Sequence, residues 1–151
     1  MIMLHKINYF GGDFLMAFFN KLAGYGSIDS SAGNKIKDYL IDGEEIIQAF
    51  TFIRDSIILT NYGIYLVDVQ GVSGKKVEVK FFPSKNVKSI SFESASTFDL
   101  DVDIKIGVDG NTVISQSGIP HNAPISFKVP KAQAEEAREI VKLVKINYLV
   151  R

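Results

Sequence analysis

From Glu45 to Val129 the chain is a succession of short runs of β-branched and aromatic residues, each closed by a turn signal. That texture limits the fold more than any other feature, because runs of this length with turn residues between them pair into an antiparallel sheet or barrel. The spacing predicts strands near residues 45–53, 56–61, 63–69, 76–82, 87–94, 99–108, 112–117 and 124–129. Asn61-Tyr62-Gly63, Gly71-Val72-Ser73-Gly74 and Asp109-Gly110-Asn111 stand between apolar runs and can supply the positive φ of a tight hairpin. Eleven Phe and six Tyr in 151 residues provide the material for such a core. A chain of this length hides roughly two-thirds of its unfolded surface and needs no disulfide or metal staple.

Helical periodicity flanks the strands. Phe10, Phe14, Phe18 and Leu22 recur every four residues, with Leu15 and Phe19 on the neighbouring line, the stripe of a short amphipathic helix. Such a helix covers its own domain, docks on another copy, or inserts Phe14, Phe18 and Phe19 into a membrane surface. Its polar side lacks the Lys/Arg density of interfacial helices, which favours the first two. Residues 24–33 (GYGSIDSSAG) read as a linker, and Asn34 to Leu40 as a second short helix. After Pro130 the sequence from Lys131 to Lys145 is the clearest helix, with Ala137, Ile140, Val141 and Val144 on one face, Glu135 and Glu136 early, Lys142 and Lys145 late, and Pro130 suited to its first turn. Its apolar stripe is expected to cover one opening of the strand layer.

Charge and cysteine exclude several functions. Lys plus Arg and Asp plus Glu number seventeen each, so no overall field draws the chain to nucleic acid or an anionic membrane. The absence of cysteine removes disulfides, thiolate catalysis and thiolate metal sites, and suits a reducing cytoplasm. The N-terminal apolar stretch is broken by Asp13 and Lys21, short of the roughly 20 residues that span a bilayer and poor as a secretory signal.

Each constellation with a chemical reading fails its template. Asp99, Asp101 and Asp103 alternate as a calcium loop does, but Ile104 and Gly110 stand where the loop needs Gly and Glu. Leu100, Val102, Ile104 and Ile106 between the acids indicate a half-buried strand with Asp on its wet face. Gly71 to Lys76 resembles a phosphate loop without its first Gly, which would stand at Val69, or its Ser/Thr, which would stand at Lys76. His5 and His121, the only histidines, have no neighbouring nucleophile and acid, and the pairs Glu44-Glu45 and Glu135-Glu136 point to different sides of their elements. No catalytic, cofactor-binding or metal site is therefore expected. Lys75, Lys76, Lys80, Lys85 and Lys88 form the one basic concentration, answered locally by Glu78, and period two puts Lys76 and Lys80 on one face.

Ile53-Arg54-Asp55, Leu59-Thr60-Asn61, Leu66-Val67-Asp68-Val69-Gln70-Gly71, Gly74-Lys75-Lys76 and Ser96-Thr97-Phe98-Asp99-Leu100-Asp101 resemble the motif string of the bacterial pleckstrin-homology-like family, and Met16 to Leu22 resembles its beginning. The likeness covers about 16–108 and leaves residues 1–15 as an extension, 16–44 as a helical segment and linker, and 45–148 as the domain. Departures are Tyr62-Gly63 in place of two basic residues, Ser84 after Pro83 in place of an aromatic, and the tail from Asn111. The resemblance implies a mainly β fold with α: a barrel of about seven antiparallel strands capped by a C-terminal helix and preceded by short N-terminal helices.

It further implies a closed homo-oligomeric ring, with the pentamer as one form, that offers a polar composite surface to a protein partner through a heterologous interface. Arg54, Asp55, Lys75, Lys76, Asp99 and Asp101 are the residues expected on that surface, as charged motif positions without a core role. Phosphoinositide-binding PH domains use a basic loop between their first two strands. Arg54-Asp55-Ser56 is a poor clamp for such a headgroup. The alternative is a peripheral membrane module using the aromatic N-terminal helix and the Lys-rich hairpin. A carrier using the barrel interior is opposed by the bulky core residues.

Overall fold

Strand pairing follows the turn signals in a computed structural model that describes residues 30–52, 55–74, 76–93 and 101–150. The described residues form two compact units that divide between Phe81 and Phe82. In the first, helix α1 (Ser30–Ile36) and a 3-10 turn (Lys37–Tyr39) precede β1 (Ile46–Phe52), β2 (Asp55–Thr60), β3 (Gly63–Gln70) and β4 (Lys76–Pro83). These strands form a four-stranded sheet in chain order. The pairs β1–β2 and β2–β3 are antiparallel, with Ala49 opposite Ile58 and Ile58 opposite Tyr65.

Period two divides the sheet into two apolar faces. On one, Ala49, Ile58, Tyr65 and Val67 close a core with Ala32 and Ile36 of α1, and Leu40 and Val79 pack at its edge. Small residues permit that approach: a Cβ on Gly33 would stand 3.3 Å from Ile46 Cδ1. On the other, Phe50 and Phe52 stack at 6.4 Å with rings 4° from parallel, and Ile57, Leu59 and Ile64 are buried. The predicted linker over 24–33 thus ends early, because Ser30 to Gly33 belong to α1, whose Ala32 is wholly buried. The aromatic helix expected over 10–22 lies outside the described residues.

The second unit begins with a 3-10 turn (Ser84–Asn86), followed by β5 (Val87–Glu93), β6 (Asp101–Val108), the short β7 (Thr112–Ile114) and β8 (Pro120–Asn122), and β9 (Ile125–Pro130). β6 is central in the sheet β5-β6-β9. It sets Ile104 against Phe92 and Phe127, and Ile106 against Ile90 and Ile125. Helix α2 (Ala134–Val144) packs on β6 and β9 and buries Ala137, Ile140, Leu143 and Val144. A π-helical turn (Lys145–Leu149) then brings Tyr148 to 2 % exposure. Leu143 takes the core position expected of Val141, and Pro130 ends β9 instead of opening the helix.

The strand expected over 112–117 is split. Residues 112–114 pair with 120–122, and Ser115 to Gly118 make the turn, closed by Gly118 N–H donating to Ser115 O at 2.9 Å. β8 carries no hydrophobic alternation, so only its pairing reveals it. Asn111 and Asn122 hold the base of this hairpin, their side-chain amides donating to Ala123 O at 3.0 Å and Val108 O at 2.8 Å. The observed fold is mainly antiparallel β with a C-terminal helix, as expected.

Candidate functional site

The hairpin β3–β4 builds one polar cluster of the first unit. Gly71 and Gly74 take φ values of 77° and 64°, a backbone that side chains resist, and Gly74 N–H donates to Gly71 O at 3.3 Å. The stretch that resembles a phosphate loop is therefore a hairpin turn. Closing it brings Gln70 across from Glu78: the Gln70 amide nitrogen donates to Asp68 Oδ2 at 3.1 Å and to Glu78 Oε2 at 3.4 Å. One amide thus bridges two carboxylates at the end of a face that is apolar at Ile64. Asp55 stands at the same end of the sheet, where its Oδ1 accepts from Val69 N–H at 3.2 Å and extends the β2–β3 pairing. Lys76, exposed, opens β4 beside the turn.

Of the residues expected on the interaction surface, Asp55 and Lys76 are thus brought to one end of the first sheet. Arg54, Lys75 and Asp99 lie outside the described residues, as do Phe14, Phe18 and Phe19. Asp101 is exposed at the start of β6 in the second unit. There Asp103 meets Lys128 at 3.8 Å, so the alternating aspartates line a strand whose Ile104 and Ile106 are fully buried. The basic concentration divides as well. Lys76 and Lys80 lie on β4, whereas Lys88 donates to Lys85 O at 2.9 Å and meets Asp109 at 3.6 Å in the second unit. Sequence reasoning passed over Asp68 and Gln70 as surface candidates, although their spacing from Ile64 and Leu66 places them on one face.

A second polar group explains the motif Leu59-Thr60-Asn61. Thr60 Oγ1 donates to Glu44 Oε1 at 2.8 Å and accepts from the N–H groups of Tyr62 and Gly63, each at 3.2 Å. Asn61 Oδ1 accepts from Glu45 N–H at 2.8 Å, and its amide donates to Gly43 O at 2.8 Å. Glu44 Oε2 accepts from Tyr65 OH at 3.3 Å and from Ile41 N–H at 3.2 Å. Burial, then the charge of Glu44, then its hydrogen bond push the Tyr65 phenol up to about 12. This is a latch: it ties the chain before β1 to the β2–β3 turn, and Gly63 begins β3 without the positive φ expected of that turn. Gly43 belongs to the latch too, because a Cβ there would stand 2.8 Å from Tyr62 OH.

His121 is exposed, with Nδ1 3.5 Å from Ile119 O. Among the described residues no group of three or more His, Asp or Glu is placed to hold a metal ion, and no helix is long and apolar enough to cross a membrane.

The Bacterial PH domain family matches the chain over residues 18–133, most of its length. The chain belongs to this family. A relative, the uncharacterized protein YjqA of Bacillus subtilis (strain 168), is 38 % identical over 97 residues, which is 63 % of this chain and 78 % of the relative. A solved pleckstrin homology domain from Shewanella amazonensis SB2B superposes with a TM-score of 0.66 at 26 % identity, over 87 % of this chain and 98 % of that one. A protein with a pleckstrin-homology domain from Shewanella loihica PV-4 superposes with a TM-score of 0.63 at 27 % identity, over 82 % and 95 % of the two chains. The latch and the β3–β4 hairpin both lie inside the range that matches the bacterial PH domain family.

Proposed function

We propose that this bacterial PH domain is a non-catalytic, cytoplasmic binding module that assembles into a closed homo-oligomeric ring and presents the polar end of its first sheet to a protein. The observation that carries this reading is the bridge from Gln70 to Asp68 and Glu78, with Asp55 and Lys76 at the same end. Three carboxylates beside a lysine repel a phosphate headgroup, whereas donors and acceptors of both signs suit the backbone and side chains of a polypeptide. Arg54 and Lys75 neighbour Asp55 and Lys76 in sequence and extend the surface, and Asp99 and Asp101 are its counterparts in the second unit. A ring supplies a use for β4, an outer strand of the first sheet with Lys76, Val77 and Glu78 exposed, since exposed edges are paired or covered.

Light scattering on the full chain tests the assembly. A multiple of the 16.7 kDa chain mass supports a ring, and a monomer at every concentration refutes it. Reversing Lys75 and Lys76 to Glu tests the surface. Partner capture is expected to fall while thermal stability stays unchanged, and an unaltered set of partners refutes the assignment. One observation favours the membrane reading: Val72 is fully exposed at the hairpin tip near Lys76. Binding to anionic vesicles that weakens with salt would replace the protein partner by lipid.

A further inference from the structure

The sheet β5-β6-β9 has two outer strands, and they meet solvent differently. Pro124 stands just before β9, Pro130 ends it, and Lys128 lies between them. Proline offers no N–H and lysine resists desolvation, so a further strand is kept from this edge. β5 is guarded at its start alone. Lys88 is the extra residue of a bulge there, and it donates to Lys85 O at 2.9 Å and meets Asp109 at 3.6 Å. From Ser89 to Glu93 the strand is regular, holds no Lys, Pro or Gly, and is paired on one side only among the described residues. Phe92 is 58 % exposed on this edge, although Ile104, its partner on β6, is wholly buried. Ser89, Ser91 and Glu93 are exposed as well.

The open segment is complementary to itself. Laid antiparallel against a second copy about Ser91, it sets Ile90 of each copy against Phe92 of the other, Ser89 against Glu93, and Ser91 against Ser91. Side chains so opposed have Cβ atoms about 4.5–5.5 Å apart, close enough for each Ile90 to cover a Phe92. Charge fits this register too. Within its own chain Glu93 faces Asp103, another acid, so the Ser89 hydroxyl of the other copy is a better neighbour on its open side. Ser89 Oγ lies over Gly107, which has no side chain, and leaves the edge beside it clear. A shift of one residue would turn the apolar face of one copy to the polar face of the other. A shift of two, in either direction, would strand part of the segment against the bulge or past the end of β5.

We infer that β5 pairs with β5 of a second copy over residues 89–93, continuing the two sheets as one. The contact is isologous and closes at two copies, with α2 of both on the same face. It goes beyond the ring, whose contacts are heterologous and use the first sheet: where rings form, β5 joins them in twos.

The chain has no cysteine, so one introduced thiol reports on this edge alone. Full-length Ser91→Cys at low micromolar concentration, treated with a short bismaleimide cross-linker, is expected to give covalent dimer at least ten-fold faster than Ser126→Cys. Ser126 is exposed on β9 in the same cross-strand row, so it controls for chance encounter. Equal rates overturn the pairing. Phe92→Asp changes an exposed side chain and is expected to halve the mass read by light scattering, with an unchanged far-ultraviolet spectrum showing that the fold is kept. An unchanged mass overturns the pairing. In the unsubstituted chain a monomer overturns both this pairing and the ring, whereas an odd multiple of three or more chains overturns the pairing and leaves the ring standing.

Discussion

Replacing Glu44 by Ala removes the acceptor at the centre of the latch. Its carboxylate takes hydrogen bonds from Thr60 Oγ1 at 2.8 Å, Ile41 N–H at 3.2 Å and Tyr65 OH at 3.3 Å. Thr60 is fully buried and Tyr65 is 5 % exposed, so water replaces these bonds poorly. A hydrogen bond to a charged group contributes about 1.5–3 kcal/mol when well formed. Only the Thr60 bond is short, and Thr60 Oγ1 also has Gly63 O as an acceptor at 3.3 Å. The expected loss is therefore about 2 kcal/mol, or about 1 M in the urea midpoint for a slope near 2 kcal/mol/M.

The Tyr65 phenol provides an independent readout. Its folded value of about 12 lies above the unfolded value of 10.0, so the stability held by the neutral phenol is complete below pH 10 and disappears as pH rises towards 12. Two units of separation correspond to at most about 3 kcal/mol. Glu44→Gln removes the charge and leaves burial, the largest cause, in place. The phenol is expected to drop from about 12 yet stay above 10.0 in an ultraviolet titration against the unsubstituted chain. A Glu44→Ala midpoint within about 0.2 M of the parent, together with an unchanged tyrosine titration, would refute the latch.

Gln70→Glu sets a third carboxylate between Asp68 and Glu78 and is expected to lower stability by about 1–2 kcal/mol at neutral pH. The loss should shrink at high salt, which screens exposed charges, and chemical denaturation at low and high salt checks it. Tyr148→Ala empties a site that is 2 % exposed in the π-helical turn, and thermal or urea unfolding is expected to show a loss of about 3–5 kcal/mol. A loss below about 1 kcal/mol would show that the turn does not anchor the end of α2.

Turn chemistry was legible at two of the three expected hairpins, and not at Asn61-Tyr62-Gly63, where Gly63 takes no positive φ. Gly71, Gly74 and Gly110 each adopt the positive φ their spacing implied, because the demand is local to the turn. In the row Leu100, Val102, Ile104 and Ile106, the burial of Ile104 and Ile106 was equally plain, since period two persists through a half-buried strand. β8 was not, because Pro120, His121 and Asn122 carry no pattern of their own and become a strand only by pairing with 112–114. The start of α1 was hidden for a related reason. Ser30 to Gly33 read as a linker, and burial of Ala32 against the sheet outweighs their weak helix propensity.

The polar site shows the same division. Asp55 and Lys76 stood out as charged residues with no core role, yet Asp55 accepts a backbone N–H and so also holds the β2–β3 pairing. Thr60 and Asn61 were visible as a motif whose purpose the sequence left open. Their partners Gly43, Glu44 and Glu45 lie sixteen to eighteen residues away, and propensity and periodicity reach only a few residues along the chain. What the sequence determined by itself was the alternation of strands and turns, the C-terminal helix and the family, all written in local pattern. What only the tertiary structure decided was which polar groups meet across strands, Gln70 with Glu78 and Glu44 with Thr60 and Tyr65, because such pairs depend on register and closure.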